Sequence, residues 1–505
     1  MSVTSVKANG PRATALVAMR SRAARPRGWA IAHRWLLWMA LIAIVLGLLT
    51  PSAILLSVAA ACIGFAVVVR DVTRLDRGGL TPITFFALAF GVAGIANAVG
   101  VQSLADNGNQ SQFDLYAALD YVYVACLVML IGGGAIITGF VTAQRWQGWR
   151  MVGSALPKIR SRVNDRDLIY GGSAIAALSV VVSTVAGPTR FGTLSALVVL
   201  LPDLSIFTLS RLGAARKSRR LIMVALVVAL AAAIYAAVFA YLRAEILLPI
   251  FAFVTGLVVG NRSLAILRRR FLMPVYLLVA LFAVNFATLG RIRATGAGQS
   301  RVEAFRASSM SASDTASGVD ALFVRLSTLN QLSQVGLLAH KDGFLRGATL
   351  EYLGFAFVPR FLWPAKPKIA KGAWFAYRIG EAIRRPDGTY NNSINMTVPG
   401  ELFLNFGWPG VFVGSYLFGA LLALLWSTAV FWKDDNNPLG TAFGFYLLWI
   451  GIGLVADLEI IVTLVAMYLV FLAGSVVLSA VRRSHQGVPV RPSRPDVPAA
   501  AQLRS

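Results

Sequence analysis

Acid, histidine and cysteine are all scarce in this chain. Its 505 residues hold 22 Asp and Glu against 47 Lys and Arg, with only three His and two Cys. Cys62 and Cys126 both fall inside apolar runs, so neither a disulfide framework nor a thiolate metal site is available. Charge is thin: charged residues make up 14% of the chain and apolar ones 57%, where a soluble domain has roughly a quarter and about a half. That excludes an ordinary soluble fold. No period of about 20 to 50 residues recurs, which excludes a solenoid. The N-terminus lacks a short apolar core followed by a small-residue cleavage site, so 1–34 reads as a disordered basic cytoplasmic tail leading into a signal anchor. The stretch 482–505, with four prolines, reads as a second disordered tail.

What the chain has in quantity is membrane-length apolar sequence. A spanning helix needs about 20 mostly apolar residues. Twelve segments qualify, at 35–49, 52–69, 80–101, 118–141, 168–186, 193–209, 221–242, 246–260, 271–289, 408–432, 439–456 and 460–481. The expected fold is therefore an all-α polytopic membrane protein of about twelve transmembrane helices. Nine occupy 35–289 and three occupy 399–481.

The excess of +25 charges invites a nucleic-acid reading until the basic residues are mapped. With the N-terminus placed inside, 31 of the 47 fall in inner tails and loops, two (Arg190 and Arg243) in short outer loops, and 14 in one long outer loop. That is the positive-inside pattern, and a long loop crosses regardless of its charge. The basicity is a topology signal and calls for no nucleic acid. The chain is expected in a membrane with both termini cytoplasmic.

The long loop, 290–398, breaks the pattern of short connections and lies between the ninth and tenth spans. It begins with a flexible Ser-, Ala- and Gly-rich lead-in, 291–317. From Val319 the spacing turns helical, with Leu322, Phe323, Leu326, Leu329, Leu332 and Val335 on one stripe and Arg325 among them. At a membrane surface Arg325 either snorkels or reaches an anionic headgroup. Next comes Pro359-Arg360-Phe361-Leu362-Trp363-Pro364-Ala365-Lys366-Pro367-Lys368. Its prolines impose an extended path, Trp363 suits the lipid interface, and Arg360, Lys366 and Lys368 present cations at headgroup level, either as a diphosphate cradle or as a basic linker.

At the loop's end Glu401 and Asn405 stand four apart, hence on one helix face, at the expected outer mouth of the tenth span. An acid entering an apolar segment is a functional candidate, although the helix dipole also favours an acid at an N-terminus. Asp457-x-Glu459, in the last outer turn, matches the paired acids of metal-dependent transferases and equally an ordinary helix cap. His340 is the only histidine expected outside and is an alternative base to Glu401.

In that order, Arg325, Gly347-Ala348-Thr349, the 359–367 segment and Gly400-Glu401-Leu402-Phe403-Leu404-Asn405-Phe406-Gly407 resemble the bacterial O-antigen polymerase (Wzy-like) or oligosaccharide repeat-unit polymerase family. The resemblance covers 319–419. It implies a GT-C-like architecture and polymerisation of undecaprenyl-diphosphate-linked repeat units into a surface polysaccharide at the outer membrane face, without a cofactor. Under it, Arg325, Arg360 and Lys366 bind the donor diphosphate. Glu401 or His340 serves the acceptor hydroxyl, and Asn405 and Trp363 orient substrate. A chain-length regulator and a flippase are the implied protein partners.

Rival readings divide on position. A carrier of the major facilitator kind places its long loop inside, midway along the chain, and shows related halves. A flippase for lipid-linked sugars buries several charges, whereas Asp203 is the only acid deep in a span here. An O-antigen ligase shares span number, loop placement and donor, and it stays the nearest alternative.

Overall fold

The computed structural model describes residues 27–75, 79–107, 118–161, 163–185, 195–236, 243–268, 272–273, 275–277, 323–324, 326–355, 363, 371–386, 390–429, 437–453 and 457–486. Among them the chain is helical, and the only β pairing is an isolated bridge between Arg384 and Tyr390. The helices are α1 (Arg27–Leu49), α2 (Ala53–Val72), α3 (Pro82–Asn107), α4 (Val122–Arg145), α5 (Gln147–Ala155), α6 (Asp165–Val185) and α7 (Ser195–Ala215). They continue with α8 (Arg219–Tyr235), α9 (Arg243–Asn261), α10 (Leu329–Asp342), α11 (Lys371–Arg378), α12 (Val398–Thr428), α13 (Pro438–Ile452) and α14 (Ile460–Gln486).

Six of the described helical stretches are long and apolar enough to cross a membrane, and they comprise α1 to α4, α12 and α14. The other expected spans also fall on helices, α6 to α9 and α13, except 271–289, which lies almost wholly outside the described residues. The protein is an all-α membrane protein.

Helices α1 to α4 and α12 pack as one group, α6 to α9 as another, and α13 touches both through α3 and α7. Apolar side chains gain little from leaving lipid for each other, so association depends on close backbone approach. The tightest pairing shows it. A Cβ on Gly139 of α4 would collide with the Tyr416 carbonyl oxygen, and one on Gly419 of α12 with that of Ile136. Two buried asparagines tie separate elements together. Asn97 of α3 accepts from Ser327 Oγ at 2.8 Å and from the Thr328 N–H at 2.9 Å, anchoring the start of α10 deep among the spans. Asn437 caps α13 through the Gly440 N–H at 3.1 Å while donating to the Ile159 carbonyl at 2.8 Å.

Two features differ from the sequence expectation. The stripe that begins at Val319 was expected at a membrane surface, yet on α10 its members Leu329, Leu332 and Val335 are buried between α4 and α12. A 3.6-residue period says that one face is covered and leaves open what covers it. The second feature is a break in α12 at Gly407 (φ 64, ψ −151), which separates 398–406 from the tenth span. The short segment folds back along the span. A Cβ on Gly410 would lie 2.6 Å from the Leu402 carbonyl oxygen, and Leu402 also packs against Gly414. The helix resumes at Trp408, and Glu401 lies on the folded-back segment before it.

Candidate functional site

The segment 398–406 is built to end where it does. Thr397 caps it, accepting from the Gly400 N–H at 3.2 Å, and Pro399 occupies the first turn, where a missing N–H costs nothing. Because the helix stops at Gly407, the carbonyls of Leu404 and Asn405 have no donor one turn ahead. The turn after α10 supplies them: the Leu345 and Arg346 N–H groups reach these two oxygens at 3.0 and 2.9 Å, and the Gly347 N–H donates to Asn405 Oδ1 at 3.1 Å. Left-handed backbone at Gly343 (φ 75), Arg346 (φ 50) and Gly347 (φ 94) makes that reversal.

The contact carries Thr349 to the carboxylate of Glu401. Thr349 Oγ1 donates to Glu401 Oε1 at 2.7 Å and accepts from Asn405 Nδ2 at 2.7 Å, while Asn405 Nδ2 also donates to the Glu401 carbonyl at 2.7 Å. Lys371, the first residue of α11, forms an ion pair with the same Oε1. Its Nζ lies 3.9 Å from the centroid of the Tyr352 ring, a cation over an aromatic face. The Leu458 N–H donates to Glu401 Oε2 at 2.8 Å. Glu401 is fully buried and Lys371 is 8% exposed, so this is a desolvated pair held by segments from four parts of the chain. Breaking such a pair by removing one partner costs about 3–5 kcal/mol.

Pro399 packs on Gly132, ten residues into α4, or about 15 Å along its axis. The turn that follows α13 brings the Leu458 N–H to Glu401.

Two further acids arrive with that turn. Asp457 is 8% exposed and accepts from the Met396 N–H at 2.7 Å through Oδ1. Burial pushes its carboxyl up to about 7, and Glu401 and Glu459 push the same way, against the Met396 N–H and Lys371. Glu459 is raised as well, by burial first and by Glu401, with Lys371 opposing. Burial, followed by the charge of Glu401, raises the phenol of Tyr352, whose Oη is buried without a hydrogen-bond partner among the described residues.

Of the residues singled out in the sequence, the structure brings together Thr349, Glu401, Asn405 and Asp457. His340 is exposed near the C-terminus of α10, its ring 5.8 Å from that of Tyr121, and it makes none of the contacts to Glu401 given above. Trp363 is 38% exposed and packs edge-on against Phe355, centroids 5.7 Å apart. Arg325, Arg360 and Lys366 lie outside the described residues. Sequence reasoning missed Lys371 and Tyr352. The available signal was Glu401 itself, since an acid in an apolar helix implies a counter-charge from elsewhere. Asp457 was weighed as a cap for the helix that follows it, whereas its side chain holds the Met396 N–H 61 residues away. No protein family, curated protein or solved structure matches the chain.

Proposed function

We propose that the protein is a glycosyltransferase that polymerises undecaprenyl-diphosphate-linked oligosaccharide repeat units into a surface polysaccharide at the outer face of the bacterial cytoplasmic membrane. One observation carries the reading: the Gly347-Ala348-Thr349 and Gly400 to Gly407 motifs, which resemble the polymerase family, interlock through Thr349, Glu401 and Asn405. Two segments with no local reason to meet form one polar site in an apolar bundle. Such a site costs desolvation and calls for a functional explanation.

Activated nucleotide sugars are cytoplasmic, so a transferase working outside needs a lipid-borne donor whose diphosphate leaves with its charge compensated. Arg325, Arg360 and Lys366 supply that compensation in this reading, Asn405 and Trp363 orient substrate, and an acid of the Glu401 cluster accepts the acceptor's proton. The test is deletion of the gene followed by glycan analysis. Single repeat units on lipid or on the final acceptor, with no long polymer, are expected. Full-length polymer accumulating on the lipid carrier would transfer the assignment to a ligase.

A further inference from the structure

The geometry points to Asp457, and not Glu401 or His340, as the group that takes the proton from the acceptor hydroxyl, with Glu401 and Lys371 as a pair that positions it. This inference rests on the glycosyl-transfer reading above. Both oxygens of Glu401 are engaged, Oε1 by Thr349 and Lys371 and Oε2 by the Leu458 N–H. Protein donors therefore occupy both oxygens of that carboxylate, and neither is left open to an acceptor hydroxyl. Asp457 is engaged at Oδ1 alone, and its Oδ2 has no hydrogen-bond partner among the described residues. The Leu458 N–H that binds Glu401 belongs to the peptide that follows Asp457, so the positioning pair fixes the backbone of the neighbouring acid. The charged and titratable groups around Asp457 are Glu401 from α12, Lys371 from α11, Glu459 from its own turn and Tyr352 from the helical turn Ala348–Gly354. A base is most effective when its pKa lies near the working pH, and burial leaves Asp457 there.

The step balances. The acceptor oxygen forms a bond to the donor's anomeric carbon as the bond from that carbon to the diphosphate oxygen breaks. The lipid diphosphate leaves with the electron pair, and the acceptor's proton moves to Asp457 Oδ2 and then to water.

The first experiment uses the purified full chain without substrate. Dicyclohexylcarbodiimide, which reacts with protonated carboxyls in apolar surroundings, is applied at about pH 6 and about pH 8.5, on either side of the ionisation, and the labelled peptide is found by mass spectrometry. Asp457 should label at the lower pH and lose the label at the higher. Labelling of Glu401 with Asp457 unmodified at both pH values overturns the inference. The second experiment measures transfer of lipid-diphosphate-linked oligosaccharide, extracted from the deletion strain, between about pH 5 and pH 9, with binding of undecaprenyl diphosphate measured separately. Asp457→Asn retains an acceptor for the Met396 N–H. It should bind undecaprenyl diphosphate as the wild type does, lose about 10²- to 10⁴-fold in turnover, and lose the acidic limb of the pH profile, while Asp457→Glu restores part of the rate. An unchanged limb in Asp457→Asn defeats the inference and leaves the polymerase reading standing. A wild-type chain that neither binds undecaprenyl diphosphate nor transfers from the extracted donor overturns both.

Discussion

At the scale of single residues, the buried pair of Glu401 and Lys371 makes a sharp energetic statement. Either partner alone is an uncompensated charge or a set of orphaned donors. Glu401→Gln and Lys371→Met are each expected to cost about 3–5 kcal/mol, and the double variant clearly less than their sum, because it leaves no buried charge behind. Chemical unfolding of the four proteins in detergent measures the coupling, and additive losses would remove the pair from the account. Asp457 has a different signature. Its carboxyl is held near 7 against an ordinary 3.8, so the folded state binds the proton more tightly than the unfolded one. Its contribution to stability is greatest below about pH 4, and it declines as pH rises to about 7, where the folded carboxyl also ionises. Asp457→Asn removes that decline. The variant should gain on the wild type in thermal unfolding as pH moves from about 5 to about 8, and a constant difference would contradict the assigned ionisation. None of these partnerships was legible locally. Glu401 meets Lys371 across 30 residues and Thr349 across 52, and no period or motif in the sequence encodes a contact at such separations.

Elements were more legible than their placement. The apolar runs mark the helices because an unpaired backbone group is unaffordable in lipid, which leaves helix as the local solution. The apolar run 408–432 marks the long helical stretch that resumes after Gly407. The short helix before it was hidden by continuity, since 398–428 is mostly apolar and the break depends on one residue, Gly407. Its dihedrals lie in a region that side chains with a Cβ avoid, and a Cβ there would also lie 2.9 Å from Phe344 Cζ. Gly407→Ala is therefore expected to destabilise the protein by about 1–3 kcal/mol and to abolish polymer formation by swinging Glu401 away from Thr349. A melting temperature and polymer level equal to wild type would mean that the fold-back is dispensable.

At the scale of the whole molecule, the map of basic residues predicts the orientation of the bundle, with the long polar stretch 290–398 on the outer side. Cysteines placed at Ser309 and at Gln147, which is exposed and lies in the stretch 144–167 expected inside, should respond oppositely to a membrane-impermeant thiol reagent, with labelling of 309 in intact cells and of 147 only after lysis. The reverse pattern inverts the topology and overturns the proposal of outward-facing chemistry. The two native cysteines are buried and add little background.

The three grips on Glu401 also impose an order on biogenesis. Thr349 and Lys371 leave the ribosome before Glu401, while Leu458 emerges 57 residues after it, on the far side of α13. Until that last hairpin inserts, the translocon holds a chain whose central carboxylate has its cation but lacks the N–H that completes its shell. The final two helices thus act as the closing stitch of assembly, and a chain stalled before them is expected to be a substrate for membrane proteases.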